Sequence, residues 1–306
     1  MDTKQIEYIL KIAEENNITK AAEKLFITQS ALNQQLLKLE KELGTPLFHR
    51  SRTNWRLTEA GEIYIEGAKA ALQIKNTTYN RIYDVVSARK GHLTIGLTPG
   101  RGLRMFTAIY PELHRSFPNL DVRPIEMRVR AQQDAIAKGD IDVGLMTLTQ
   151  KDQTSDTYYP LKQEELVLII PSGHPLSEKA APSGEPLATL DLTELRYEPF
   201  VLMDKTSTLR SSCDLLFEKA GFAPNILFET NNTSGIAAMV QSTLCCGIIP
   251  RYYTLGLTEG VACFSLPERP SWEIVISCQK NGYLNSGARE FIRLAREYWE
   301  NSAPLF

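Results

Sequence analysis

The chain has 306 residues, 43% hydrophobic and 23% charged, a composition that supports two or three units with sizeable cores. A formal net charge of -2 and a pI near 6.2 exclude bulk charge as a means of holding nucleic acid or an anionic membrane, so such a partner would need a local patch. The opening MDTKQIEYILKIAEENN lacks a leader pattern and no run of about 18 apolar residues occurs, so a cytoplasmic address without membrane contact is expected.

In chain order, Ile6, Ile9, Leu10 and Ala13 mark a first amphipathic helix. Thr19 is expected to cap a second, through Lys20, Ala21, Ala22, Lys24 and Leu25. Thr28 caps a third, on which Leu32, Leu36, Leu39 and Leu43 share one stripe expected to be buried, and Gly44 ends it. TPLFHRSRTNWRLT brackets a polar tip between Leu47, Phe48, Trp55 and Leu57, which predicts a short hairpin with arginines near its tip. Thr58 then opens a helix reaching about Arg89 without a proline, a rod of roughly 45 Å. Its apolar positions Ala68, Leu72, Tyr79, Ile82 and Val86 are spaced to pack on a second copy of itself.

The composition shifts near Lys90-Gly91, and strands begin to alternate with helices. Strands are expected near 93-97, 121-127, 141-146, 165-170, 199-203, 225-229, 245-249 and 273-278, and helices near 102-116, 131-138, 207-219, 234-243 and 286-300. This alternation predicts open, mainly parallel sheets covered on both faces, divided into two lobes with a ligand cleft between the strand ends. The expected organisation is a unit of three helices and a hairpin at 1-58, the long helix at 59-90 and an α/β part at 91-306. Its lobe one takes about 91-162 and 269-306, and lobe two about 163-268.

Gln29, Ser30, Asn33 and Gln34 sit on the first turns of the third helix, where a helix-turn-helix reaches base edges in the major groove. Asn and Gln pair a donor with an acceptor and match adenine N6 and N7, at about 1 to 3 kcal/mol of discrimination per pair. Lys38, Arg50, Arg52 and Arg56 are placed to meet phosphates. Between Thr28 and Leu57 the only anions are Glu40 and Glu42, against the cations Lys38, Lys41, Arg50, Arg52 and Arg56, so this stretch is positive. Polar residues early in a helix can also be merely solvated, and the spacing by itself leaves both readings open.

The run AAEKLFITQSALNQQLLKLEKELGTPLFHRSRTNWRLTEAG resembles the winged helix-turn-helix of the LysR-type transcriptional regulators. It carries AAEKL, the T-Q-S-A-L entry with Thr28 as its cap, the K-L-E-x-E-L-G exit, P-L-F-x-R and L-T-E-A-G in order. The likeness continues through GDIDVGL, ELVLIIPSGHPL and GIIP. It implies an N-terminal all-α winged helix-turn-helix with a long linker helix, then a C-terminal α/β two-lobed domain similar to periplasmic solute-binding proteins. The implied partners are double-stranded promoter DNA, a second copy through the linker helices, further copies in a homotetramer, and RNA polymerase. Asn33 and Gln34 stand where the family often has serine and arginine, and Leu37 where it prefers a basic residue.

The resemblance also places a small-molecule effector between the lobes. The matching positions are Thr98, Gly100, Arg101, Gly102, Arg128, Val129 and Thr147, and on the far side Thr206, Ser207, Asn232 and Thr233. TPGRG before a helix can present N–H groups to an anion whatever the family. Thr98 and Ser207 can equally be helix caps. With Arg101 and Arg128 near the cleft, the expected effector is an anionic metabolite such as a carboxylate. No cofactor or metal is expected.

The five cysteines, Cys213, Cys245, Cys246, Cys263 and Cys278, show no metal or disulfide spacing. Cys245 and Cys246 lie in the apolar run LCCGII, where burial favours packing over redox chemistry. His49, His92, His114 and His174 fall in segments already explained, and no catalytic motif occurs, so the chain reads as a regulator and not an enzyme. A solute-binding transport component and a dimerising scaffold are the competing functions, and the N-terminal winged helix argues against the first.

Overall fold

Three short helices open the chain in the computed structural model, which describes residues 2–51, 55–86, 89–182, 184–255, 257 and 259–301. They are α1 (Thr3–Glu15), α2 (Ile18–Lys24) and α3 (Gln29–Leu43). The connection between the first two is only two residues long and depends on consecutive asparagines. Asn16 ends α1 in the left-handed region, with φ 49°. Asn17 caps α2 by accepting from the Thr19 and Lys20 N–H groups at 2.9 and 3.1 Å. The cap is therefore Asn17 and not Thr19, whose hydroxyl instead donates to Gln29 Oε1 at 3.2 Å.

The three helices bury Ile6, Ile9, Ile12, Ile18, Ala21, Ala22, Leu32, Leu36 and Leu39 in one core. The leucine stripe of α3 is one residue shorter than its spacing suggests, because Leu43 is 45% exposed where the helix leaves that core. Glu40 is the last buried residue instead. It accepts from the Leu47 N–H at 2.9 Å and from the Arg50 guanidinium, so it fastens the start of the wing to α3.

The wing is a hairpin of β1 (Phe48–His49) and β2 (Arg56–Leu57), with Phe48 opposite Leu57. The Trp55 N–H donates to the Asn16 carbonyl at 2.8 Å, tying the wing to the end of α1. The long helix α4 (Glu59–Val85) starts from Thr58, whose Oγ1 accepts from the Gly61 N–H at 3.0 Å and donates to the Pro46 carbonyl at 2.7 Å. At 27 residues α4 is about 40 Å long.

Residues 1–92 with 138–140 form one unit, and the remaining residues from 93 onward form another. In the second, β3 (Lys90–Leu97), α5 (Arg101–Ser116), β4 (Asn119–Glu126), α6 (Val129–Lys138) and β5 (Val143–Leu148) alternate. The strand β6 (Thr157–Pro171) follows, then β7 (Pro199–Met203), α7 (Thr208–Ala220), β8 (Asn225–Thr230), α8 (Thr233–Gln241) and β9 (Gly247–Pro250). The unit closes with β10 (Val261–Ser265), β11 (Ser271–Cys278) and α9 (Ser286–Glu300).

Two lobes arise because β6 is shared. Its first half pairs with β11, which continues through β5, β3 and β4. Its second half pairs with β10 and β9, and a bridge from Cys246 to Phe200 carries the sheet on to β7 and β8. The sheets are mixed and not mainly parallel: β3 with β5 and β7 with β8 are parallel, whereas β11, β9 and β10 all run antiparallel to β6. The cause is topological. The strand that leaves lobe one and the strand that returns to it lie side by side, which makes them antiparallel. In lobe one, α5 and α9 cover one face and α6 the other. In lobe two, α7 and α8 do the same.

Gly61 shows why the L-T-E-A-G opening ends in glycine, since a Cβ there would lie 2.1 Å from the Leu47 carbonyl oxygen. The obstacle is backbone, so Gly61→Ala forces α4 off the wing and is expected to cost about 1–3 kcal/mol, the usual range for overpacking. Urea denaturation of the two proteins measures it, and equal midpoints would remove this explanation.

Candidate functional site

Two places bring the chemistry-bearing residues together, one in each unit. On the N-terminal unit Thr28 caps α3 by accepting from the Ala31 N–H at 3.2 Å, which fixes where its first turn begins. Thr28, Gln29, Ser30 and Gln34 are exposed on the turns that follow, and Asn33 is half-buried. The Thr19 hydroxyl holds the Gln29 carbonyl, which leaves the Gln29 amide N–H groups to face outward. Lys38 and Arg56 are exposed and make no ion pair among the described residues. Arg50 is engaged by Glu40 and lies over the Trp55 ring at 5.6 Å, so its first task is to hold the wing. Arg52 lies outside the described residues.

In the second unit a cavity of about 390 Å³ opens between the lobes, within the range of small-ligand pockets. It is formed where β3, β4, β7 and β8 end and α5, α6, α7 and α8 begin. Thr98, Gly100, Arg101, Arg128, Val129 and Thr147 line it from lobe one, and Thr206, Ser207, Asn232 and Thr233 from lobe two. Gly102 does not line it; this residue is buried where a Cβ would meet Thr98 Oγ1 at 2.9 Å. Sequence reasoning missed the apolar wall of Met203, Leu209, Pro250, Tyr253 and Trp272, which arrives from segments without a local signature.

The hydroxyl residues have structural duties as well. Ser207 caps α7 by accepting from the Leu209 N–H at 3.2 Å, and Asn232 caps α8 by accepting from the Ser234 and Gly235 N–H groups. In contrast α5 begins at Gly100, with φ 72° and no capping side chain. The N-terminal ends of four helices, each with a partial positive charge, thus face one cavity.

Neither cleft arginine is free of a carboxylate. Arg101 is 5% exposed and paired with Glu164, which is fully buried and also accepts from Trp272 Nε1 at 2.7 Å and the Tyr252 N–H at 3.0 Å. The rings of Tyr252, Tyr253 and Trp272 surround the Arg101 guanidinium at 5.6 to 5.8 Å. Arg128 donates to Asp204 Oδ1 at 2.7 Å and to the Thr206 hydroxyl. The Arg128 guanidinium holds the Asp204 carboxyl down from 3.8 to about 2, with the Thr206 hydroxyl and N–H adding to the effect. Stability from this contact is thus fully present above pH 4 or so and is lost only as pH falls through about 2.

Residues 3–62 match the bacterial regulatory helix-turn-helix protein domain of the lysR family, and residues 87–300 match the LysR substrate binding domain. The chain belongs to the LysR family of transcriptional regulators. This LysR-family protein is a regulator with a DNA-binding helix-turn-helix and a substrate-binding domain, and not an enzyme. It is 29% identical over 309 residues to YcgK, an HTH-type transcriptional regulator of Bacillus subtilis, covering 97% of this chain and 94% of that one. Full-length OxyR of Pseudomonas aeruginosa has the same fold, with a TM-score of 0.69, 20% identity and 99% of each chain covered. So does CbnR complexed with its target DNA, with a TM-score of 0.52, 21% identity, and 98% of this chain and 100% of that chain covered. Among the described residues no helix is long and apolar enough to cross a membrane, and no group of side chains could hold a metal ion.

Cys245 and Cys246 lie just before β9, which starts at Gly247, and fall in different core clusters of the regulator. Burial raises both thiols, Cys246 to about 12, and likewise pushes Cys213 to about 12 and Cys263 to about 11. Iodoacetamide is therefore expected to label Cys245 and Cys246 only after unfolding, as followed by mass spectrometry; rapid labelling of the folded protein would contradict the packing role. Replacing Glu164 by alanine strands the Arg101 charge in the interior and is expected to cost about 3–5 kcal/mol, read from denaturant midpoints.

Proposed function

We propose that this LysR-family regulator reads promoter DNA with Gln29, Ser30, Asn33 and Gln34, that Lys38, Arg50, Arg52 and Arg56 meet phosphates, and that an effector in the inter-lobe cavity controls the complex. The observation that carries the DNA reading is the first turns of α3, capped by Thr28 and bearing exposed amides and hydroxyls where a lysine or glutamate would only solvate. Amides at this position offer base-edge recognition, while the flanking cations supply affinity. The Gln29 amide N–H groups, left outward by Thr19, suit an acceptor such as adenine or guanine N7.

The helix α4 supports assembly through a second copy. Ile63, Ile74 and Val85 are exposed and recur every eleven residues, about three turns apart, so they fall along one line of the helix. Ile82 lies beside this line, and the exposed Tyr79 and Val86 add apolar surface around the end of the helix. An apolar strip of that length is what a partner helix would cover. We accordingly take residues 1-58, 59-90 and 91-306 as the DNA-binding, dimerising and effector-binding parts of a dimer that pairs again as a tetramer. Contact with RNA polymerase at the promoter completes the proposed function.

The cavity offers hydroxyls, amides and four helix N-termini together with the apolar groups Met203, Leu209 and Trp272. It suits a small molecule with an acidic end and an apolar body. Binding acts through the two lobes only if their arrangements differ in affinity for it.

The test is retardation of the DNA fragment upstream of the regulator's own coding region. Gln29→Ala and Asn33→Ala are each expected to lose about 1–3 kcal/mol, roughly 5- to 150-fold in affinity, without loss of fold. Undiminished sequence-specific binding by the double variant would show that other residues do the reading.

A further inference from the structure

Of the two cleft arginines only Arg128 can be reached by a ligand. Arg101 is enclosed by three aromatic rings, and its carboxylate partner Glu164 has no exposure at all. Taking Arg101 from Glu164 would leave a charge stranded in the interior, at a cost of several kcal/mol. Arg128 is 43% exposed and Asp204 26%, so either one, if released, meets water.

The placement of this second pair matters as much as its exposure. Arg128 stands at the start of α6 in lobe one, whereas Asp204 and Thr206 belong to the turn between β7 and α7 in lobe two. The contact therefore ties the lobes together, as does a weaker bond from the Thr208 hydroxyl to the Thr147 carbonyl at 3.2 Å. Asp204 is held independently of the arginine. Its Oδ1 also accepts from the Thr206 N–H at 3.0 Å and from the Thr206 hydroxyl at 2.5 Å. The protein thus presents a positioned carboxylate to a guanidinium at the wall of a cavity whose other lining residues, apart from the buried and paired Arg101, are hydroxyl, amide and apolar.

We propose that Asp204 is an internal stand-in for the acidic group of the effector: a carboxylate ligand takes Arg128 from Asp204, replacing a direct tie between the lobes by one that passes through the ligand. This rests on the reading of the cavity as the effector site. Specificity follows from the exchange. The incoming carboxylate competes with an intramolecular one, whose effective concentration is of the order of millimolar or above. Small carboxylates without an apolar body therefore bind poorly, and ligands that also fill the space against Met203, Leu209 and Trp272 prevail. An uncharged isostere leaves Arg128 with Asp204. Asp204 thereby selects for charge and sets the threshold concentration for the response.

The experiment is calorimetric titration of the full-length protein with phenylacetate and with its neutral isostere phenylacetamide. Asp204→Asn is expected to tighten phenylacetate by about tenfold, the scale of one charge-assisted contact, and to leave phenylacetamide unchanged. Arg128→Ala is expected to abolish phenylacetate binding in either background. Thr206→Val, which loosens Asp204 without altering its charge, carries the same test should Asp204→Asn fail to fold. Equal phenylacetate affinity in wild type and Asp204→Asn, no binding by Asp204→Asn, or retention of binding by Arg128→Ala would each overturn the proposal. Met203→Trp, which fills the cavity, separates the two levels of failure. If it abolishes binding while Asp204→Asn changes nothing, the cavity is a ligand site and only the exchange is wrong; if binding persists, the probe sits elsewhere and the cavity reading fails as well.

Discussion

The regulatory unit turns on the point where β6 and β11 pass between its lobes, and a buried carboxylate holds that point. Glu164 lies on β6 opposite Trp272 of β11, and it accepts from Arg101 at the start of α5, from the Trp272 indole and from the Tyr252 N–H. Removing a carboxylate and a guanidinium from water costs several kcal/mol per ion, and only close contact with further donors offsets it. Those donors come from three separate segments. A displacement of any one of them would leave charge uncompensated, so the start of α5, the start of β11 and the turn after β9 are fixed to β6 together. The neighbouring Glu165 points to the other side of the strand, as alternation requires, and meets Arg251 at 3.3 Å.

This gives the cleft a stiff floor and a yielding rim. At the floor the charges are buried, ringed by aromatics and unable to separate without penalty. At the rim the Arg128 and Asp204 pair is partly solvated, and an exposed pair of this kind contributes little to net stability because water competes for both partners. Low stability at the rim is an advantage for a switch, since a ligand of modest affinity can then alter the balance between lobe arrangements. The lowered pKa of Asp204 keeps this pair charged throughout the ordinary pH range, so the proposed switch answers to a ligand and not to pH.

The legibility of these features in the sequence follows the distance over which each is determined. Thr28, Gly44 and Thr58 were readable because a cap depends on a few neighbours, and so were Leu32, Leu36 and Leu39. Thr19 misled because Asn16 and Asn17 together make a tighter connection than one threonine cap. Leu43 misled because periodicity continues to the end of a helix whether or not the core does. Strand and helix alternation is local and suggests mainly parallel sheets, whereas the antiparallel pairing of β6 with β11 joins residues more than a hundred positions apart. The partners of the cleft arginines are hidden for the same reason. Arg101 and Arg128 are evident in the chain, but Glu164 and Asp204, which pair with them, lie 63 and 76 residues away. The cavity positions themselves were reached through family resemblance, which encodes three-dimensional placement that spacing does not.

The N-terminal face shows a similar division between holding and reading. Glu40 and Arg50 spend their charges on each other to fasten the wing, and Trp55 and Asn16 complete that fastening. Lys38, Lys41 and Arg56 are the exposed cations between Thr28 and Leu57 that make no ion pair among the described residues, and screening in physiological salt weakens each phosphate contact such cations make. A regulator built in this way gains affinity by joining two reading helices. Once one is bound, the second meets its half-site at a high effective concentration without any additional contact. On the proposed reading, the exposed line of Ile63, Ile74 and Val85 along α4 is a means of such joining, and its cost is an apolar strip that the described residues leave exposed. On the proposed reading, the polar economy of α3 and the apolar excess of α4 are one feature: the amides supply selectivity, and affinity is left to assembly.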